Sequence, residues 1–178
     1  PMIVEKIVGA AAEAGAYFAS CKALGERVKD ATGSMGVALT SCNVPAEGTP
    51  TFLLGEDEME LGVGIHGEPG RSRVSLISAD EIAAEMMGAI KQDLGPKPGA
   101  PALLLITGFG GSPLMELYLM YNAGAKLCAD SGIQVVRSMV GNYTTSLEMA
   151  GCSITLSLLD EETLKLWDAP VQTAALRW

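Results

Sequence analysis

Apolar positions recur at helical spacing along the first thirty residues: Ile3, Ile7, Ala10, Ala11 and Ala14, then, after Gly15, Tyr17, Cys21, Leu24 and Val28. One face of a 3.6-residue helix repeats in this way, so residues 1–32 read as a helical hairpin leading into the rest of the chain. Ala31 to Met35, with Gly33 inside it, ends the hairpin, and the short apolar run Gly36 to Thr40 suits a buried strand. Ser41 to Leu54 is a polar connection carrying Pro and Gly, in which Thr51 to Leu54 reads as a short pairing strand. The acidic run Glu56, Asp57, Glu58 and Glu60 reads as a solvated loop, since nothing beside it completes a cation site.

The next stretch, M-E-L-G-V-G-I-H-G-E-P-G at 59 to 70, organises the molecule. Read as a strand, it puts Met59, Leu61, Val63 and Ile65 on one face and Glu60, Gly62, Gly64 and His66 on the other. The histidine then stands on a face cleared of side chains, the pattern expected where a ligand must approach. After it the chain turns through Gly67, Glu68, Pro69 and Gly70. A hydrogen-bonded structural histidine satisfies the same pattern.

Further on, Ser78 with Glu81 forms a capping box, and Ile82, Met86 and Ile90 make one apolar stripe of a helix running to about Leu94. Gly95 to Pro101 is a loop. Ala102 to Thr107, continuously apolar, reads as an interior strand. The glycine-rich turn Gly108 to Pro113 links it to a helix with Ser112 as N-cap and Pro113 at the first position, running through Leu117, Tyr118 and Tyr121 to Ser131-Gly132. Such a turn serves either as plain structure or as an anion cradle, although the lysine of a phosphate loop is missing. Tyr118 and Tyr121 fit a core or a dimer surface alike. Ile133 to Val140 is a strand, and Thr145 with Glu148 reads as a second capping box opening a turn or two of helix. Ile154, Leu156 and Leu158 alternate with Thr155 and Ser157, the pattern of a half-buried strand. Asp160 caps a short helix through Trp167, and the tail Ala169 to Trp178 needs a place to dock. The alternation of strands and helices indicates an α/β (α+β) fold, a mixed sheet layered with helices, with residues 1–178 forming a single domain.

Composition narrows the partners. The chain has 178 residues, 48% hydrophobic, and a formal charge of −9, which argues against nucleic acid or an anionic membrane surface. No apolar run is long enough to span a bilayer. Cys21, Cys42, Cys128 and Cys152 are scattered without a C-x-x-C pair, and the chain has one histidine, so no metal site is expected and a reducing cytoplasm fits. The opening Pro1-Met2-Ile3 reads as a cut from something longer, or as a chain whose initiator Met was removed.

The wording of the motifs is more specific than their periodicity. G-V-G-I-H-G-E-P-G at 62 to 70, G-E-D-E-M-E at 55 to 60, S-P-L-M-E-L-Y at 112 to 118, V-G-N-Y-T-T-S-L-E-M-A-G at 140 to 151 and W-D-A-P-V at 167 to 171 resemble the second half of the dihydroxyacetone kinase K subunit, in order and over essentially the whole chain. The resemblance implies the fold of that subunit's second domain. It also implies that His66 holds the ketone of dihydroxyacetone covalently as a hemiaminal, with Gly64, Gly67 and Glu68 around it. A neutral imidazole nitrogen can add to a ketone carbon, and glycerol offers no such electrophile, so selectivity would follow from the bond itself. The family's other catalytic motifs, a G-G-G-S-G-H-E-P loop and a K-N-Y-T-G-D stretch of the N-terminal half, do not occur in this sequence, and Arg71 stands where the family usually has an aliphatic residue.

By the same resemblance, the phosphoryl donor would not be bound by this chain. It would sit on a separate L subunit or domain, as ADP recharged through the phosphoenolpyruvate:sugar phosphotransferase system or as ATP with magnesium. The expected partners are therefore dihydroxyacetone, the L subunit, the missing N-terminal half and a second copy in a homodimer. A non-catalytic paralogue that senses dihydroxyacetone and binds a regulator, and a small-anion module built on Gly108 to Pro113, are the alternatives.

Overall fold

The computed structural model describes residues 1–46, 48–66 and 70–178. Its elements follow in the order α1 (Met2–Glu13), α2 (Phe18–Asp30), β1 (Thr32–Ala38), β2 (Glu58–Leu61), β3 (Ser72–Ser75), α3 (Ala79–Leu94), β4 (Pro101–Gly108), α4 (Leu114–Asp130), β5 (Gln134–Gly141), β6 (Gly151–Leu158) and α5 (Glu161–Asp168). The strands form one six-stranded mixed sheet in the order β3-β2-β1-β6-β4-β5. Only the β4–β5 pair is parallel among the described strands, with α4 as the crossover between them.

The sheet is covered on both faces, and β4 shows why its sequence is apolar without interruption. Leu103 and Leu105 point to one side, where Ile3 and Ile7 of α1, Leu24 and Val28 of α2 and Trp167 of α5 close over them. Ala102, Leu104 and Ile106 point to the other, against Ile82, Met86 and Ile90 of α3 and Leu117 and Met120 of α4. A strand between two helical layers has no polar face to show. The same position explains β6, which is buried on both faces rather than half-buried: Ser157 and Thr155 satisfy their hydroxyls against Thr32 and Ser34 of β1, at 2.7 Å each. Polar letters there mark cross-strand pairs.

The helical hairpin, the Ser78–Glu81 capping box and the Asp160 cap form as the sequence predicts. Four further expectations are corrected. The β1 strand begins at Thr32, ahead of the apolar run, because its first residues pair with β6. Thr51 to Leu54 form no strand; the connection is pinned by an isolated bridge between Asn43 and Pro50. Pro113, not Ser112, is the N-cap of α4, since the Ser112 hydroxyl is drawn away to Gly151, accepting from its N–H at 2.8 Å and donating to its carbonyl at 3.0 Å. Thr145 to Glu148 open no helix, because the Glu148 carboxylate leaves to accept from the backbone and side-chain N–H groups of Asn43, both at 2.8 Å. The sequence reading did not foresee β3, a four-residue edge strand exposed throughout.

The tail docks by its aromatic end. The Trp178 ring lies 5.4 Å from that of Trp167, and the Lys6 ammonium sits 5.2 Å from the Trp178 ring while donating to the Ala169 carbonyl at 2.6 Å. Among the described residues, no helix is long and apolar enough to cross a membrane.

Candidate functional site

The strand expected to carry His66 stops five residues short of it. β2 pairs with β1 only at Val37↔Leu61 and Ala38↔Glu60. Gly62 donates its N–H to the Gly36 carbonyl at 2.7 Å and then takes a left-handed φ of +80°, which swings the chain off the sheet. Met59, Leu61 and Val63 are buried as the alternation requires, but Ile65 and His66 lie in a turn, and the His66 side chain is exposed. The chain crowds this departure point tightly. A Cβ on Gly36 would run into the Val63 carbonyl and the Phe109 ring, so glycine at 36 is what lets the loop lie against β1.

The loop returns at Gly70. Arg71 donates its N–H to the Leu61 carbonyl at 2.7 Å, closing the two ends of the connection against each other. Glu60, expected in a solvated acidic run, is instead buried: one carboxylate oxygen accepts the Gly70 N–H at 3.1 Å and the other the Arg73 Nε at 3.0 Å. Glu56 and Asp57 are exposed as expected.

An open groove of about 770 Å³ runs from this loop along the sheet. His66, Gly64 and Arg71 line it, together with Ser34, Thr107 and Thr155 of the sheet. Thr107 is committed to structure, its hydroxyl accepting the N–H groups of Tyr143 and Thr144 at 3.0 and 3.1 Å. The groove therefore follows β1 from Thr32 to Gly36 across Ser153 and Thr155 of β6 to Leu105 and Thr107 of β4, with Phe109 and Thr144 from the two following turns in its lining. Gly64 and His66 are brought together there. Gly67 and Glu68, expected around the substrate, lie outside the described residues. Arg71, met in the sequence only as a departure from the family pattern, lines the groove with His66. The buried clamp of Glu60 carries no local sequence signal, because its partners Gly70 and Arg73 come from the returning segment.

The glycine-rich turn serves packing. Phe109 donates its N–H to the Gly151 carbonyl at 3.1 Å and Gly111 to the Met149 carbonyl at 2.9 Å, so two of the donors an anion cradle would use are engaged. Phe109, with Val63, Ala38, Cys42, Phe52 and Met149, forms a small core directly beneath the site loops. Among the described residues, no group of three His, Cys, Asp or Glu side chains converges in a way that could hold a metal ion. Burial pushes the Cys152 thiol up to about 12, so it is a packing residue rather than a nucleophile.

Comparison with known proteins agrees with this architecture. The family model described as Dak1 domain matches residues 1–175. The chain is 40% identical over 203 residues to the PEP-dependent dihydroxyacetone kinase, dihydroxyacetone-binding subunit DhaK of Escherichia coli (strain K12), covering 99% of this chain and 56% of that protein. It is 45% identical over 175 residues to the PTS-dependent dihydroxyacetone kinase 1, dihydroxyacetone-binding subunit DhaK of Listeria innocua, covering 98% and 53%. Among solved structures, the dihydroxyacetone kinase operon co-activator Dha-DhaQ superposes with a TM-score of 0.89 at 31% identity, over 95% of this chain and 53% of that one. The dihydroxyacetone kinase of C. freundii superposes with a TM-score of 0.77 at 30% identity, over 93% and 30%. The chain thus spans about half the length of the curated relatives it matches. With the motifs, the sheet and the matched span in agreement, the chain belongs to the Dak1 domain family.

Proposed function

We propose that this chain is the histidine-bearing half of a dihydroxyacetone-binding kinase subunit, in which His66 captures dihydroxyacetone as a hemiaminal. One observation carries the reading: in a chain related to subunits named for binding dihydroxyacetone, the sole histidine stands exposed at the rim of a groove, on a loop flanked by glycines. The lone pair of an unprotonated ring nitrogen forms the C–N bond while the carbonyl π pair moves to oxygen. That oxygen takes up a proton, and the ring releases the proton on its other nitrogen. The adduct is neutral and no water leaves. Capture requires a ketone, so a polyol of the same size is refused by chemistry rather than by volume.

The captured triose offers a terminal hydroxyl to a phosphoryl donor on a partner L subunit or domain, where ADP or ATP with magnesium would reside. The remaining catalytic groups would come from the half of the subunit outside this chain, and the whole would work as a homodimer in the cytoplasm. The isolated chain is then a poor kinase. A second reading is favoured by the close superposition on the co-activator: a paralogue that binds the same ketone and contacts a regulator. Phosphoryl transfer by the complete subunit with an L subunit separates the two, since only the kinase subunit supports it.

Carbon NMR of dihydroxyacetone labelled at its carbonyl tests the capture. The ketone signal is expected to give way to a bound tetrahedral carbon with the native chain and to persist with His66→Ala. A ketone that remains free with both this chain and the complete subunit overturns the covalent role.

A further inference from the structure

We propose that Glu60 is the positioning residue for His66, holding the histidine loop in its capture geometry through the Gly70 N–H. This rests on the reading of His66 as the capturing group.

The Glu60 side chain is 6% exposed while its partner Arg73 is 42% exposed. Burying a carboxylate is costly unless both oxygens are engaged. A cross-strand ion pair between β2 and β3 does not need that burial, because an exposed pair would tie the same two strands at little cost. Burial instead brings the second oxygen inside the hairpin, 3.1 Å from the Gly70 N–H. That bond spans ten residues and reaches across the base of the loop that carries His66. It lies beside the Arg71 N–H to Leu61 carbonyl bond of 2.7 Å, so the returning strand is gripped at two consecutive residues.

The packing leaves this grip no slack. A Cβ on Gly70 would strike the Leu61 carbonyl and crowd the Glu60 Cγ, and one on Gly62 would strike the aliphatic stem of Arg71. The Gly62 end therefore lies against Arg71 and the Gly70 end against β2 with only glycine-sized clearance, and the Gly70 N–H bond to Glu60 sets the level at which the second end sits. His66 itself is exposed, at the groove lined also by Gly64 and Arg71. Its approach to a ketone carbon is governed by the loop base, and a shift of one ångström in a reacting group is costly.

The experiment measures capture of carbonyl-labelled dihydroxyacetone by this chain and by four variants that retain the native far-UV spectrum. Glu60→Ala removes both contacts and is expected to weaken the adduct at least tenfold. Glu60→Asp keeps the charge but withdraws its oxygens by one methylene; it is expected to fall equally far, and it stands in if the alanine variant does not fold. Glu60→Gln, whose amide oxygen still accepts from Gly70, and Arg73→Ala, which leaves that bond in place, are expected to stay within threefold of the native chain. Native capture by Glu60→Ala or Glu60→Asp, or an equal loss in Arg73→Ala, overturns the inference. If the native chain captures no ketone, the functional reading fails on its own, and the positioning inference is decided on the imidazole carbon shifts of the single histidine and on Gly70 amide exchange. Glu60→Ala or Glu60→Asp is expected to move the former and speed the latter at least tenfold. No change in either overturns it.

Discussion

Gly110 shows how a single residue carries the ground beneath the site. It holds φ +117°, a conformation open essentially to glycine alone, and a Cβ there would be driven into the Leu147 carbonyl. Leu147 in turn is held at a left-handed φ of +53° with its side chain half exposed, the one non-glycine among the described residues with positive φ. The 109–113 and 142–150 turns, which give Phe109 and Thr144 to the groove lining, are therefore braced against each other at this point. Gly110→Ala is expected to lower stability by about 3 kcal/mol, combining backbone strain with displacement of the 142–150 turn. Urea denaturation measures it, and a loss below half a kcal/mol would mean that the brace is slack. At this scale the sequence is a partial guide. The glycines before His66 single it out, but the strand face on which the alternation set it ends at Leu61, and the left-handed turn at Gly62 that lifts it off the sheet depends on a hydrogen bond to Gly36, twenty-six positions earlier. No local pattern encodes that partner. Glu60 reads as one more acid in an acidic run for the same reason: its burial is conferred by Arg73 and Gly70 from the returning strand.

At the scale of elements, local signals succeed where the element satisfies itself. The α3 helix is announced by its own capping box and by a stripe at helical spacing, and both are present as written. Elements fail to be legible where a distant partner diverts a side chain. Glu148 would close a capping box with Thr145, but two N–H groups of Asn43 outbid the local backbone. Ser112 would cap α4, but Gly151 takes its hydroxyl at both ends. β4 is the opposite case, since its apolar run states directly that helices cover both faces. Leu104, fully buried between β4 and the α3–α4 layer, is expected to cost about 3 kcal/mol as Leu104→Ala. Leu119→Ala, at a half-exposed position on α4, is expected to stay within about half a kcal/mol. Equal effects in urea titrations of the two variants would contradict the two-layer assignment.

The molecule as a whole is tied across its α1–α2–α5 layer by charges gathered at the ends of α5. At the start of α5, Arg27 of α2 pairs with Asp160, at 2.7 Å, and with Glu162. At the other end, Arg137 of β5 donates to Asp168 at 2.7 Å, and the Lys6 ammonium caps the Ala169 carbonyl. The hydrogen bond from Arg137 holds the Asp168 carboxyl below its ordinary value. For Asp160, burial pulls upward most strongly, but the Thr163 bonds and Arg27 together outweigh it, and this carboxyl too lies low. A carboxyl depressed in the folded state stabilises the fold fully above its unfolded value, near 3.8, and loses that contribution as pH falls through the folded value, because the unfolded chain takes up protons first. Both groups are substantially exposed, so each contributes little alone; their common location is what matters. Acid below about pH 4 should therefore loosen α5 and the tail before the central sheet. The chain has two tryptophans, Trp167 and Trp178, and both lie in this layer. Their emission is expected to shift red at a higher pH than the far-UV signal is lost, and Asp168→Asn is expected to move the fluorescence transition upward in pH while leaving the far-UV midpoint nearly in place. Coincident transitions in both proteins would show that the layer melts only with the sheet, and that the charges at α5 do not set its order of release.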